Sequence, residues 1–115
     1  MAIIFHITTR QAWNSATVEG VYRTDTLPTE GFIHCSTRDQ LIQVANIRFR
    51  GQEGLNLLSI DTDKVTREII YENLEGGQQL FPHIYGELNL DAVVEVAKFE
   101  AGADGYFDLP PSDIE

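Results

Sequence analysis

Three histidines are the side chains of this sequence best suited to moving protons or binding an anion. They are His6, His34 and His83, and each stands next to an isoleucine. The stretch GFIHCST, residues 31–37, adds the chain's one cysteine, a serine and a threonine around His34. These residue types suit four kinds of site: a nucleophilic site, a metal site, a helix cap, or a strand end that holds a ligand.

The strand pattern of GFIHCST argues against a catalytic thiol. Alternate side chains of a strand point to opposite faces, so His34 and Ser36 share one face. Cys35 lies on the other face with Ile33 and is therefore predicted to be a small core residue. The histidines also lack the i, i+4 spacing of a helical zinc pair, so no metal ligand is predicted from spacing.

The strand that carries His34 runs directly into a predicted helix. Thr37-x-x-Gln40 fits a capping box, and apolar residues follow at helical spacing. Unpaired amides and the helix dipole both favour an anion at a helix N-terminus. We therefore predict an anion pocket formed by Ser36, Thr37 and Arg38 beside His34. The alternative is a helix cap with no further function.

His6 lies in a second predicted strand that runs into a helix, and its side chain is on the same face as those of Ile4 and Thr8. Thr8-x-x-Gln11 fits another capping box, so this strand is also followed by a helix. If the two strands share a sheet, His6 and His34 are expected to line one cleft. The simpler alternative is a buried histidine that makes only structural hydrogen bonds.

The third histidine lies in FPHIYGELNLDAVVEV. Pro82 and Gly86 bracket His83 and Tyr85 in a stiff, turn-rich segment that suits a ligand wall, within a stretch, 75–89, that is predicted to be loop-rich. Glu87 follows the turn and is the candidate catalytic carboxylate. The alternative for Glu87 is a solvated surface carboxylate, which is common in an acidic chain.

Length and composition narrow the class of protein. A chain of 115 residues is predicted to form a single domain, 1–115, with its own core. A net charge of −10 argues against long nucleic acids, whose binding requires a basic surface. No apolar run is long enough to span a bilayer, and no secretory signal is visible. One cysteine allows no internal disulfide, which favours a reducing compartment, so we expect a cytoplasmic protein. Because no apolar run is long enough to span a bilayer, we expect no membrane partner. The oligomeric state is not indicated.

The pattern along the chain predicts an α+β fold with a mainly antiparallel sheet and two main helices. The acidic C-terminal tail is expected to dock through Phe107 and Leu109. The predicted strands are 3–7, 32–36, 55–61, 68–73 and 92–101. The first predicted helix runs from Thr8 to Gly20, and the second runs from Thr37 to about residue 50. Residues 21–31 are predicted to form a short extended piece and a loop.

Motifs across nearly the whole chain resemble one bacterial family. GFIHCST, FPHIYGELNLDAVVEV and DGYFDLP, together with FHITT and LLSID, are similar to the domain of unknown function 952 family. The layout of the histidine-bearing strands resembles the ADP-ribosyltransferase superfamily. That resemblance implies a split antiparallel sheet in which His6 and His34 hold a nicotinamide dinucleotide and Glu87 steers the acceptor. It also makes NAD the cofactor to test, since the residues alone indicate none.

The leading hypothesis is that the chain binds, and in a stronger form turns over, a nucleotide or similar phosphorylated small molecule in an ADP-ribosyltransferase-like cleft. The first alternative is a non-catalytic ligand-binding or protein-interaction module. The second is a metal-dependent hydrolase that uses the three histidines. The candidate catalytic residues are His6, His34 and Glu87, and the candidate ligand-binding residues are Thr8, Ser36, Thr37, Arg38, His83 and Tyr85.

Overall fold

The computed structural model of the protein describes residues 2–74 and 77–108. It is an α+β structure with mainly antiparallel sheets and three helices, which confirms the predicted class. One of the three helices is a single short turn. In chain order the elements are β1 (Ile3–Thr9), α1 (Arg10–Glu19), β2 (Val21–Tyr22), α2 (Leu27–Glu30), β3 (Ile33–His34), α3 (Arg38–Arg48), β4 (Leu55–Asp61), β5 (Glu68–Glu72), β6 (Phe81–Tyr85), β7 (Leu88–Asn89) and β8 (Val93–Phe99).

The strands form three antiparallel sheets, with the orders β1–β4–β8, β2–β7 and β3–β6–β5. The first and third sheets meet through one pair of residues, Phe5 in β1 and Ser36 after β3. The amide of each residue donates to the carbonyl of the other at 2.8 Å. Within the described residues no other bridge outside the named strands is present, so the two sheets separate on either side of this pair.

Strand β1 is buried on both faces, and its two faces enter two different cores. Ile3, Phe5 and Ile7 pack in the cluster that contains Leu41 and Ala45 of α3. Ile4 belongs to the other cluster, with Tyr22, Ile33 and Cys35 among its members. The predicted alternation is therefore confirmed, as is the core position of Cys35. His6 and Thr8, on the same face as Ile4, are as buried as their neighbours.

The start of α1 differs from the prediction by one residue. Thr9, rather than Thr8, is the N-cap, and its hydroxyl accepts a hydrogen bond from the Ala12 amide at 3.0 Å. Thr8 remains in the ladder with β4, opposite Asn56, so its side chain points into the core. Sequence spacing fitted both threonines, and the length of the β1–β4 ladder decided between them.

The second predicted capping box is present at the start of α3. The Gln40 side chain accepts from the Thr37 amide at 3.0 Å and donates to the Leu80 carbonyl at 2.7 Å. The predicted strand 32–36 is shorter than expected, since regular pairing covers only Ile33–His34. The chain nevertheless stays extended as far as the bridge at Ser36.

The prediction that 75–89 is loop-rich was wrong for residues 81–85, which include His83. Residues Phe81–Tyr85 form β6, the middle strand of its sheet. Proline is disfavoured there because it lacks an amide donor. The Pro82 carbonyl accepts from the Cys35 amide at 3.0 Å. The nitrogen of the same residue faces the same side, so the pair of Cys35 and Pro82 makes one backbone hydrogen bond instead of two. The predicted loop 21–31 also contains the short helix α2, which has Pro28 in its first turn.

The C-terminal part of the described chain docks on the core as predicted. Phe107 is almost fully buried and stacks on Phe99, with ring centroids 4.7 Å apart. Leu109, the other predicted docking residue, lies outside the described residues. No helix in the described ranges is long and apolar enough to cross a membrane.

The position of Cys35 leads to a prediction about stability. Its side chain is buried among apolar residues, and burial raises the pKa of its thiol well above the usual range. We expect Cys35→Ala to lower the free energy of unfolding by about 1 kcal/mol, because it leaves a small cavity. Urea unfolding measures this. We expect Cys35→Ser to cost more, because its hydroxyl would lack a partner in an apolar site. Labelling of the native thiol as fast as that of a free thiol would contradict the buried position.

Candidate functional site

A cleft of about 490 Å³ lies where the two sheets separate, and all three histidines line it. His6 comes from β1, His34 from β3 and His83 from β6, and Ser36 lies beside them. His34 and His83 are directly opposite each other in the β3–β6 pairing, with ring centroids 5.3 Å apart. The structure thus brings together four of the residues that were selected from the sequence.

Other parts of the cleft are formed by α3 and by the segment before β6. Helix α3 contributes its second half, including Val44, Ile47 and Arg48. The segment before β6 contributes the amide side chains of Gln78 and Gln79. Sequence reasoning missed these residues, because the predicted role of α3 lay at its N-terminus and the glutamines were assigned to an uninformative loop.

His83 is the most constrained of the three histidines. Its side chain is only 4% exposed, and the Phe32 ring stacks on it with centroids 4.2 Å apart. Its Nδ1 is 2.9 Å from Oε1 of Glu72, and the Tyr85 hydroxyl donates to the same oxygen. A carboxylate accepts, so Nδ1 carries the hydrogen and Nε2 is the remaining atom for a ligand. Within the described residues Nε2 has no hydrogen-bond partner.

Glu72 is a site residue that the sequence did not single out. The hydrogen bond from Tyr85, and then that from His83, hold the pKa of Glu72 below its usual value. The same contact with Glu72 raises the pKa of Tyr85 to about 12. Glu72 therefore stays ionised beside His83, and it favours a proton on Nδ1. Nothing in EIIYEN separates Glu72 from Glu68, because both lie two residues from Ile70, which is opposite His83, and only the side-chain contact in the folded structure singles out Glu72.

His34 is more accessible than His83. Its side chain is 42% exposed, and its Nε2 lies 2.8 Å from Oε1 of Glu30 at the end of α2. The histidine pair is therefore accompanied by a pair of carboxylates, one on α2 and one on β5. Glu30 was also missed by sequence reasoning, because its i, i+4 spacing to His34 spans a turn between a helix and a strand.

Ser36 lines the cleft and carries a hydroxyl group. The residue is 5% exposed, and both of its backbone groups are used in the bridge to Phe5. In the part of the chain that the structure describes, its hydroxyl has no hydrogen-bond partner. Because Thr37 is the N-cap of α3, the Ser36 side chain is not needed for capping.

His6 lines the cleft but has both ring nitrogens bonded within the protein. Nδ1 lies 2.5 Å from the His34 carbonyl oxygen, and Nε2 lies 2.8 Å from the Tyr22 hydroxyl. A carbonyl only accepts, so Nδ1 must donate and the neutral ring accepts from Tyr22 through Nε2. The Tyr22 hydroxyl in turn lies 2.8 Å from that of Thr8. Burial lowers the pKa of His6 to about 4, so the ring is neutral at pH 7.

Three predicted ligand-binding residues lie away from the cleft surface. Thr8 is buried against Tyr22, and Thr37 and Arg38 start α3, whose side rather than its N-terminus faces the cleft. Tyr85 acts on the site only through Glu72.

Glu87, the third predicted catalytic residue, is not brought to the cleft either. It accepts from Arg23 Nε at 2.6 Å and from Arg67 at 3.3 Å. These arginines, Arg23 first, hold the pKa of Glu87 below its usual value. The structure therefore places Glu87 in a surface ion-pair cluster.

The donor set does not suit a metal ion in the described ranges. Among residues 2–74 and 77–108, no three histidine, cysteine, aspartate or glutamate side chains are arranged to hold one. His6 also has no free nitrogen to offer. The metal-dependent hydrolase alternative therefore gains no support from the geometry.

The low pKa of His6 leads to a prediction about acid stability. The unfolded chain takes up a proton at His6 near pH 6.5, whereas the folded chain does so only near pH 4. Stability is therefore lost as the pH falls below about 6.5, by about 2 kcal/mol at pH 5 relative to pH 7.5. His6→Asn keeps a donor near the His34 carbonyl and removes the titration. Urea unfolding at both pH values should show a smaller acid-induced loss in this variant than in the wild type.

His34→Asn is the matched control for that comparison, because it removes an accessible histidine and keeps His6. It should retain the His6 component of the acid-induced loss. An equal loss in wild type and His6→Asn would show that His6 is not the titrating group.

Comparison with known proteins places the chain in a family. The crystal structure of protein CC0527 from Caulobacter crescentus is 31% identical, covers 93% of this chain and 94% of its own, and superposes with a TM-score of 0.83. The solution structure of CC0527 is 32% identical, covers 92% and 91% respectively, and gives a TM-score of 0.80. No curated protein matches the chain. The model of the family "Protein of unknown function (DUF952)" matches residues 7–96, and the chain belongs to this family.

Proposed function

We propose that the cleft binds a nucleotide or a closely related phosphorylated small molecule. The observation that carries this proposal is a pair of polar groups at the cleft, the Ser36 hydroxyl and Nε2 of His83, that have no hydrogen-bond partner among the described residues. Neither is one of the fully buried unpaired atoms of the described residues, so both are open to a ligand in the cleft. The Ser36 hydroxyl would donate to a phosphate oxygen, and Nε2 of His83, which keeps a lone pair while Nδ1 holds the hydrogen, would accept from a hydroxyl group of the ligand.

The charges around the cleft favour a small anion over a large one. His34 and Arg48 supply the positive or protonatable groups, whereas Glu30 and Glu72 already occupy one nitrogen of each histidine. A phosphate group carries the oxygens that histidine, serine and arginine recognise. With a net charge of −10, the chain would repel an extended polyanion, so the proposed ligand is small.

The rest of the cleft suits a flat, partly polar group such as a nucleobase. Phe49 and Phe81 supply aromatic surface, and Ile47 supplies aliphatic surface. The side-chain amides of Gln78 and Gln79 carry both donors and acceptors, which match the edge of a base. The volume of about 490 Å³ falls within the range of small-molecule sites and would hold a mononucleotide.

The resemblance to ADP-ribosyltransferases is consistent with this proposal and makes NAD one ligand to test. The separated sheets and the positions of His6 and His34 support it. Two features weigh against an ADP-ribosyl transfer step as such: Glu87 lies in an ion-pair cluster, and His6 has no free nitrogen. Nucleotide binding does not depend on either residue.

One observation favours the alternative of a protein-interaction module. Ile47 lines the cleft yet is 72% exposed, and the exposed Leu80 directly precedes the cleft residue Phe81. Exposed apolar side chains beside a cleft are typical of surfaces that bind a peptide or another protein.

Calorimetry on the wild type tests the proposal against AMP, ADP, NAD, adenosine and inorganic phosphate. We expect the phosphorylated nucleotides to bind more tightly than adenosine. Ser36→Ala and His34→Ala should each weaken their binding roughly tenfold or more, because a hydrogen bond to a charged group is worth about 1.5–3 kcal/mol.

Ser15→Ala is the matched control, since Ser15 is an exposed serine on α1 outside the cleft. It should leave affinity unchanged, and the thermal midpoint of each variant shows that it is folded at the assay temperature. If no phosphorylated compound binds the wild type at millimolar concentration, the nucleotide proposal is wrong and the interaction module replaces it.

A further inference from the structure

Two histidines of the cleft have adjacent rings, and each has its own carboxylate partner. Such a pair can transfer protons as well as bind a ligand. His83 is fixed by Glu72, and His34 is paired with Glu30. The two rings contact each other edge to face, with centroids 5.3 Å apart. Both rings line the same cleft as Ser36, so a single small group bound in the cleft can meet both of them.

The two histidines differ in the atoms that they offer to this group. The Glu72 contact leaves His83 with a hydrogen on Nδ1 and a lone pair on Nε2 when the ring is neutral. The Glu30 contact occupies Nε2 of His34, so the protonated ring of His34 offers a hydrogen on Nδ1. Nδ1 of His34 has no partner among the residues that the structure describes. With the His83 ring neutral and the His34 ring protonated, the first can accept a proton and the second can donate one.

We propose that this cleft hydrolyses a small phosphodiester, with His83 as the general base and His34 as the general acid. The inference rests on the proposed function, since it requires that a phosphate group binds in the cleft. A diester suits the site better than a monoester, because a diester carries a single negative charge at neutral pH. That charge can be met by Arg48, protonated His34 and the Ser36 hydroxyl, beside two carboxylates that would repel a dianion.

The proposed step consumes one water molecule. Nε2 of His83 takes a proton from the water as its oxygen forms a bond to phosphorus. The bond from phosphorus to the leaving oxygen breaks, and its electron pair stays on that oxygen. Nδ1 of His34 gives its proton to the leaving oxygen, so the products are a phosphomonoester and an alcohol. His83 then releases its proton to solvent and His34 takes one up, which restores the starting state.

Glu72 is a positioning residue in this scheme, and Tyr85 supports it. Glu72 fixes the tautomer of His83 and stabilises the imidazolium that forms when Nε2 takes a proton. Tyr85 donates to the Glu72 oxygen that His83 also uses, so it holds the carboxylate in place. Neither residue touches the proposed substrate.

The experiment measures hydrolysis of bis(4-nitrophenyl) phosphate and of 2′,3′- and 3′,5′-cyclic AMP, in the presence of EDTA. We expect release of a phosphomonoester, seen by ³¹P NMR for the cyclic nucleotides. His83→Gln and His34→Gln should each lower kcat on the order of a hundredfold or more, which is the usual contribution of a general acid or base. Activity lost on adding EDTA would contradict the proposed step, which uses no metal ion.

Glu72→Gln tests the positioning role. Its kcat should fall roughly tenfold or more while KM changes less, because the ligand contacts remain and the tautomer of His83 is no longer fixed. Tyr85→Phe should act in the same direction with a smaller effect. Glu68→Gln is the matched control, since Glu68 lies on the same strand, is exposed and does not line the cleft. Its kinetics should equal those of the wild type.

The outcomes separate this inference from the binding proposal. Calorimetric binding of phosphorylated ligands without turnover of any diester overturns the hydrolytic role and leaves the binding proposal standing. Neither binding nor turnover overturns both. Turnover that survives His83→Gln in a folded variant shows that His83 is not the base, and it overturns the inference.

Discussion

The pair of backbone hydrogen bonds between Phe5 and Ser36 is the constraint on which the site depends. In the part of the chain that the structure describes, this isolated bridge joins the β1–β4–β8 sheet to the β3–β6–β5 sheet. Because the sheets diverge beyond it, a cleft opens that neither sheet could form alone. The hydrogen bond from the His6 side chain to the His34 carbonyl also holds the two sheets together at this junction. The buried histidine that joins the sheets and the more exposed histidine of the cleft therefore lie on two different strands.

Local patterns predicted the parts of this arrangement that depend on near neighbours in sequence. The two-residue alternation in FIHCS placed Cys35 in the core correctly. The apolar spacing after Thr37 predicted α3, and the Thr37–Gln40 pattern predicted its start. Such signals work because they reflect helix and strand geometry, which is the same in every fold.

The features that local patterns could not supply arise from pairing between distant strands. Glu72 and Glu68 look alike in sequence, and the β5–β6 pairing puts both on the face of His83, where only the folded structure shows that Glu72 is the one in contact with it. The same applies to Glu87, whose arginine partners come from two other parts of the chain. Pro82 misled the prediction of β6. Whether a strand tolerates a proline depends on how many backbone hydrogen bonds the missing N–H removes, and that number is set by the neighbouring strands.

Helix α3 faces the core with one row of side chains and the cleft with another. Leu41 and Ala45 point into the core, whereas Val44, Ile47 and Arg48 line the cleft. Each residue added to a helix rotates all later residues by about 100°. A single insertion in the middle of α3 would therefore turn the later cleft stripe away and bring other side chains to face the cavity. Natural length variation in this protein should accordingly be confined to the stretch after the helix, 50–54, while the helix itself keeps its residue count.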